Sequence, residues 1–167
     1  MKPTYTTFNK AADAALTKLR QEASTTLPDP KMFKPIETYI SKWIKSLQLG
    51  NAEESDNELA VLVLERAGVQ ALQWLLDNHP PFEHNEMVQL LCRKQHDYGH
   101  NNITNFGIIG VAIRICDKIA RIDNLSKRNQ PTNESLVDSY IDIVGYAMIS
   151  IMLNEDSFKL PLKGDKR

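Results

Sequence analysis

Apolar residues in this 167-residue chain recur at the spacing of one helix face, and over no stretch of a strand's length do they alternate. Leu62, Val63, Ala67, Leu72 and Leu75 mark such a face within residues 59–76. Ala12, Ala15, Leu16 and Leu19 mark a shorter one within 8–22, and Ile36, Tyr39, Ile40, Trp43, Ile44 and Leu47 a third. Breakers fall between them: two prolines in Ser24–Pro30, Gly50, and His79-Pro80-Pro81. Pro35 is placed to open the third helix, and 51–57 reads as a polar connection. Further helices are predicted over 83–96, 108–127 and 133–153. An ordered loop falls at 98–107, where Tyr98-Gly99 is followed by three asparagines among eight residues. The pattern predicts an all-α helical bundle. Residues 1–80 form its N-terminal helical region, either an added unit or the first helices of one bundle. Residues 81–155 are the second helical core, and 156–167 an extended tail.

Composition narrows the class. With 42% hydrophobic and 25% charged residues the chain reads as a soluble globular protein able to bury one core. Its 20 basic and 21 acidic residues leave a formal charge of -1, against a general or sequence-specific nucleic-acid surface. Cys92 and Cys116 lack metal-ligand spacing and read as buried thiols of a cytoplasmic protein. The N-terminus lacks the apolar core of an export signal, and no run approaches the roughly 18 residues of a spanning helix. The expectation is a cytoplasmic protein with no membrane partner.

The functional clue lies in 133–153. Glu134, Asp138 and Asp142 stand four residues apart in an otherwise apolar stretch, within roughly 80° of one another on a helix turning about 100° per residue. Such a row repels itself and calls for a divalent metal, a basic partner helix, or both. Glu134, after Asn133 as a cap, suits a first turn, whereas Asp138 and Asp142 fall deeper. The preceding helix carries Arg114, Asp117, Lys118 and Arg121 on one face. A short connection predicts antiparallel packing, so these bases would face the acids. Three readings stand side by side: interhelix salt bridges, a solvated charge face, and a site in which Mg²⁺ on the carboxylates and the basic side chains share a phosphate chain. In the third, Asp117 is a metal ligand or a positioning partner. Before these helices, Lys94, Tyr98 and Asn102 gather donors and an aromatic ring at a helix end. Glu83 and Glu86 form an E-x-x-E pair, which is weak as a metal signal.

Taken in order, Lys94, Asp97-Tyr98-Gly99, Arg114, Asp117-Lys118, Arg121, Asn124-Leu125, Glu134-Ser135, Asp138, Asp142 and Tyr146 resemble the phage and bacterial family called nucleotide-modification-associated domain 1, over about residues 86–153. More distantly the arrangement is similar to the all-alpha nucleotide pyrophosphohydrolases of the MazG and dimeric dUTPase type. There an E-x-x-E pair and an E-x-x-D pair bind Mg²⁺ and activate water; here the second element reads D-x-x-x-D. The resemblance implies a helical, Mg²⁺-dependent (or Mn²⁺-dependent) hydrolase cleaving a nucleoside triphosphate to monophosphate and pyrophosphate. Glu134, Asp138 and Asp142 would be catalytic and metal-binding, with Asp117 as a further ligand. Arg114, Lys118 and Arg121 would hold phosphates, and Lys94, Tyr98 and Asn102 the nucleoside. It also implies a homo-oligomer, in the host cytoplasm if phage-encoded. The alternatives are a nucleotide-binding or sequestering protein without turnover, and a structural interaction module.

Overall fold

The computed structural model describes residues 2–27, 29–51, 53–79, 81–127 and 135–165. Seven helices follow in order: α1 (Phe8–Thr25), α2 (Phe33–Gln48), α3 (Glu54–Asn78), α4 (His84–Tyr98), the single turn α5 (Asn101–Thr104), α6 (Gly107–Ser126) and α7 (Leu136–Asn154). No strand occurs among the described residues. The all-α expectation holds.

The bundle is organised around α3 and α7, which make its most extensive helix pairing. Both are long and apolar enough to cross a membrane by length and composition alone, which the reading of unbroken runs missed. Here they spend most of that surface on each other and on their neighbours. Residues 143–145 and 147–152 of α7 are all buried, the pattern of a helix enclosed on nearly every side. Gly68 permits the close crossing, because a Cβ there would collide with the Ala147 Cβ and crowd Leu19. Ser150 satisfies its buried hydroxyl by donating to the Ala147 carbonyl at 2.8 Å.

α1 packs across α3, α4 and α7, burying Ala12, Ala15, Leu16 and Leu19 as its stripe predicted, and Ala11 beside them. α2 lies on α3 and α6. Pro35 does not open α2: a 3₁₀ turn at Pro30–Met32, capped by Asp29, leads into the helix two residues earlier. The Gln73 amide donates to the Ala23 (3.1 Å) and Thr26 carbonyls, and the Gln70 side-chain oxygen accepts from the Asp29 amide at 3.0 Å. Two buried polar side chains of α3 thus tie down the chain leaving α1. Trp74 of α3 stacks on Tyr140 of α7 with centroids 3.8 Å apart and planes at 4°.

The starts of α3 and α7 also differ from expectation. α3 begins at Glu54, inside the predicted polar connection, because Glu53 and Asp56 close a capping box. α7 begins at Leu136 with Ser135 as its cap, where Asn133 was expected. The predicted loop at 98–107 also contains α5, pinned by buried Ile103. The tail, expected to be extended, runs through turns over the described residues, and it is docked. Phe8 donates its amide to the Pro161 carbonyl at 2.9 Å, Lys163 donates its own to Asn9 Oδ1 at 2.7 Å, and buried Phe158 meets Phe8 edge to face.

Candidate functional site

α6 and α7 pack antiparallel, as their short link predicted, and the register is set by polar contacts. Arg114 donates to the Tyr146 hydroxyl at 3.4 Å and lies 5.8 Å from that ring's centroid. One turn on, the Lys118 ammonium meets Asp142 Oδ2 at 2.8 Å. Beyond it, Arg121 donates to the Ser135 carbonyl at 3.1 Å and to the Ser139 hydroxyl. The basic helix does face the acidic one.

Asp142 is the centre of this contact. Its second oxygen accepts from Lys94 Nζ of α4, also at 2.8 Å, so one carboxylate bridges three helices. Burial pushes its pKa up, but the hydrogen bonds and charges of Lys118 and Lys94 outweigh that and hold it below the ordinary carboxylate value. It is ionised at neutral pH.

Asp138 has a different job. It is exposed, and its carboxylate accepts from the Ser135 amide (2.9 Å) and hydroxyl (2.8 Å), while the Asp138 amide donates back to Ser135 Oγ. This is a capping box. Asp138 therefore sits in the first turn, not deeper as expected, because the helix starts two residues later than Asn133 would have started it. Asn133 and Glu134 lie outside the described residues.

Above Asp142 opens a cleft of about 380 Å³. Lys94, Tyr98, Asn102, Arg114 and Asp142, all singled out from sequence, line it together. Lys118 stands behind through its bond to Asp142. Arg121, Asp138 and Asp117 do not line it. The apolar wall comes from Met87, Leu90, Ile141, Tyr146, Ile149 and, from the tail, Phe158. Gly99 turns the chain between Tyr98 and α5 at φ 64, ψ -160, a conformation only glycine adopts readily. Tyr98 is thereby left exposed at the rim, and the Asn102 side-chain oxygen is buried in the cleft with no hydrogen-bond partner among the described residues. Two cationic side chains, Lys94 and Arg114, line the cleft with one carboxylate, Asp142, so its lining carries a positive surplus beside an apolar wall. That pairing suits an anion attached to a flat apolar body.

The described carboxylates do not fit a Mg²⁺ cage as they stand. Both Asp142 oxygens are engaged by ammonium groups, and Asp138 is committed to its cap. Among the described residues no group of three or more His, Cys, Asp or Glu side chains comes together. Glu83 and Glu86 begin α4, exposed, in a shallow groove that shares Met87, Leu90 and Ile141 with the cleft. Burial pushes the Cys92 and Cys116 thiols up, Cys116 to about 11, which disfavours the reactive thiolate.

The segment that builds this cleft also carries a family signature. Residues 94–153 match the family model described as nucleotide modification associated domain 1. The match runs from Lys94 through Tyr98, Asn102, Arg114 and Asp142 to the end of α7, rather more than a third of the chain. No curated protein and no solved structure matches the chain.

The sequence reading missed the parts that arrive by tertiary packing. Tyr146 under Arg114 follows from helical spacing once α6 and α7 are paired. Phe158 has no signal beyond being the one aromatic residue of a polar tail.

Proposed function

We propose that the cleft between α4, α5, α6 and α7 binds a phosphorylated nucleotide. One observation carries this: Lys94 and Arg114 line, with Asp142 as the one carboxylate beside them, a cleft whose other wall is apolar and aromatic. Arg114 presents a planar fork for phosphate oxygens, with Lys94 as a mobile charge at the rim. Tyr98 offers its ring for stacking, and the Asn102 side-chain oxygen, unpartnered among the described residues, suits an amino group on a base edge. The family match supports the same ligand class through its printed description alone. In this reading the protein works in the cytoplasm, or the host's if phage-encoded, with no membrane and no sequence-specific nucleic acid as partner.

Hydrolysis is the second reading. It is favoured by Glu83 and Glu86, whose groove adjoins the cleft, and by the resemblance to all-alpha pyrophosphohydrolases, which implies Mg²⁺ or Mn²⁺ and release of pyrophosphate. No catalytic step follows from the carboxylate positions described.

Calorimetric titration with ribo- and deoxyribonucleoside mono-, di- and triphosphates, with and without Mg²⁺ or Mn²⁺, tests both, with products resolved by chromatography. Binding that is lost in Arg114→Met, without turnover, supports the binding protein. Monophosphate plus pyrophosphate establishes the hydrolase. No binding across the panel sinks both readings and leaves interhelix salt bridging as the role of these charges.

A further inference from the structure

Three glycines lie within helices beyond the first residue: Gly68 of α3, Gly110 of α6 and Gly145 of α7. Glycine weakens a helix interior relative to alanine, so each position calls for a reason. Two have one in the packing. A Cβ at Gly68 would collide with the Ala147 Cβ, and one at Gly110 would come within 2.6 Å of the Phe106 Cβ. Gly145 has no such reason. Although it is buried, a Cβ there would have one neighbour within 4 Å outside its own stretch of helix, the Met87 Cε at 3.4 Å. That is ordinary contact, and with the adaptable end of a methionine. The backbone is helical at negative φ, so conformation does not require glycine either. What Gly145 lines is the cleft. The α7 residues that line it form two adjacent rows at four-residue spacing: Ile141, Gly145 and Ile149 in an apolar row, Asp142 and Tyr146 in a polar one. The polar row holds the cations, Lys94 on Asp142 and Arg114 over Tyr146. Gly145 is a gap midway along the apolar row, where the helix backbone is bared to the cleft.

We propose that this gap seats the nucleobase: the ring lies face-down on the α7 backbone at Gly145, between Ile141 and Ile149, with the phosphate across the polar row against Lys94 and Arg114. The placement rests on the nucleotide-binding reading and adds to it which part of the ligand meets which row of α7. A flat ring is thin enough to enter the space of one missing methyl, and its apolar faces suit the two isoleucines and Met87. A ribose in the same place would set its hydroxyls against an apolar row, where they would go unpaired. Gly145 is thus a specificity-determining residue. It admits a planar heterocycle that an alanine would lift off the helix.

The test titrates the full chain with the common ribonucleoside monophosphates, their nucleosides, and ribose 5-phosphate, which keeps sugar and phosphate but has no base. Gly145→Ala should fold, with Tm raised by about 2–4 °C because alanine suits a helix better. It should bind nucleotides and nucleosides at least about tenfold more weakly, and ribose 5-phosphate within about twofold of the wild type. Arg114→Met should do the reverse, weakening nucleotides and ribose 5-phosphate and leaving the nucleosides within about twofold. In the wild type, protons of the base ring should give intermolecular nuclear Overhauser effects to the Gly145 Hα protons and the Met87 methyl. That readout stands even if Gly145→Ala fails to fold. Nucleotide binding unchanged in Gly145→Ala overturns the proposal and leaves the nucleotide reading standing. So does equal weakening of ribose 5-phosphate, or a bound base whose contacts lie away from Gly145. A wild type that binds none of the nucleotides overturns that reading and the base seat with it.

Discussion

Asp142→Asn separates a counter-ion from a ligand-bearing carboxylate. Asp142 is 18% exposed and meets Lys94, 46% exposed, and Lys118, 22% exposed, each at 2.8 Å. Exposed ion pairs contribute about 0–1 kcal/mol, and breaking a buried one costs about 3–5 kcal/mol. The Lys94 contact belongs at the low end and the Lys118 contact between the two. Asparagine keeps one acceptor oxygen, so the net loss of stability should be about 1–2 kcal/mol. For a chain of this length that is a fall in Tm of roughly 3–6 °C. Binding should move the other way. Removing one negative charge beside the cationic side chains strengthens attraction for a phosphate a few ångströms off by about 1 kcal/mol after screening, or roughly fivefold in Kd. Differential scanning fluorimetry and calorimetric titration of the same variant read both signs. A folded Asp142→Asn protein that binds nucleotide more weakly than wild type refutes this reasoning, because the carboxylate would then be contacting ligand or metal.

Asp138→Ala removes a capping box on an exposed turn and should cost about 1 kcal/mol in urea unfolding, with nucleotide affinity unchanged; loss of binding in the folded variant would return Asp138 to the site. Because the folded state holds Asp142 below its ordinary value, its stabilisation is complete above about pH 4 and is lost as pH falls through the folded value. Acid unfolding followed by circular dichroism should therefore show a shallower acid limb in Asp142→Asn, and an identical limb would contradict the assigned ion pairs. Gly68→Ala should destabilise by about 1–3 kcal/mol, since its Cβ meets the Ala147 Cβ where α3 and α7 cross and neither backbone has room to yield; a neutral result would mean that the two helices are further apart.

Much of this was legible in advance, for specific reasons. The stripe of α1 is one-faced, and periodicity alone places Leu16 in the core; on α3 it places Leu72 there but also Leu62, which is exposed. The facing of Lys118 and Asp142 follows from two rows of charge at four-residue spacing joined by a short link. The start of α7 was misread because two cap signals lie two residues apart. Ser135 with Asp138 three positions on forms the reciprocal pair, and Asn133 with Glu134 only imitates its beginning. The same misreading set Asp138 too deep in the helix. Lys94 on Asp142 and Phe158 in the cleft depend on how α4 and the tail come to rest against α7. Local patterns do not carry that information.

The most direct test of the nucleotide-binding account is a backbone-amide NMR titration with a nucleoside monophosphate and the matching nucleoside. The account predicts saturable shifts at Gly99, Asn102, Ile141 and Gly145 around the cleft, none along α1, and much weaker binding of the nucleoside that lacks phosphate. Shifts elsewhere on the surface, or equal binding of nucleoside and nucleotide, would contradict it.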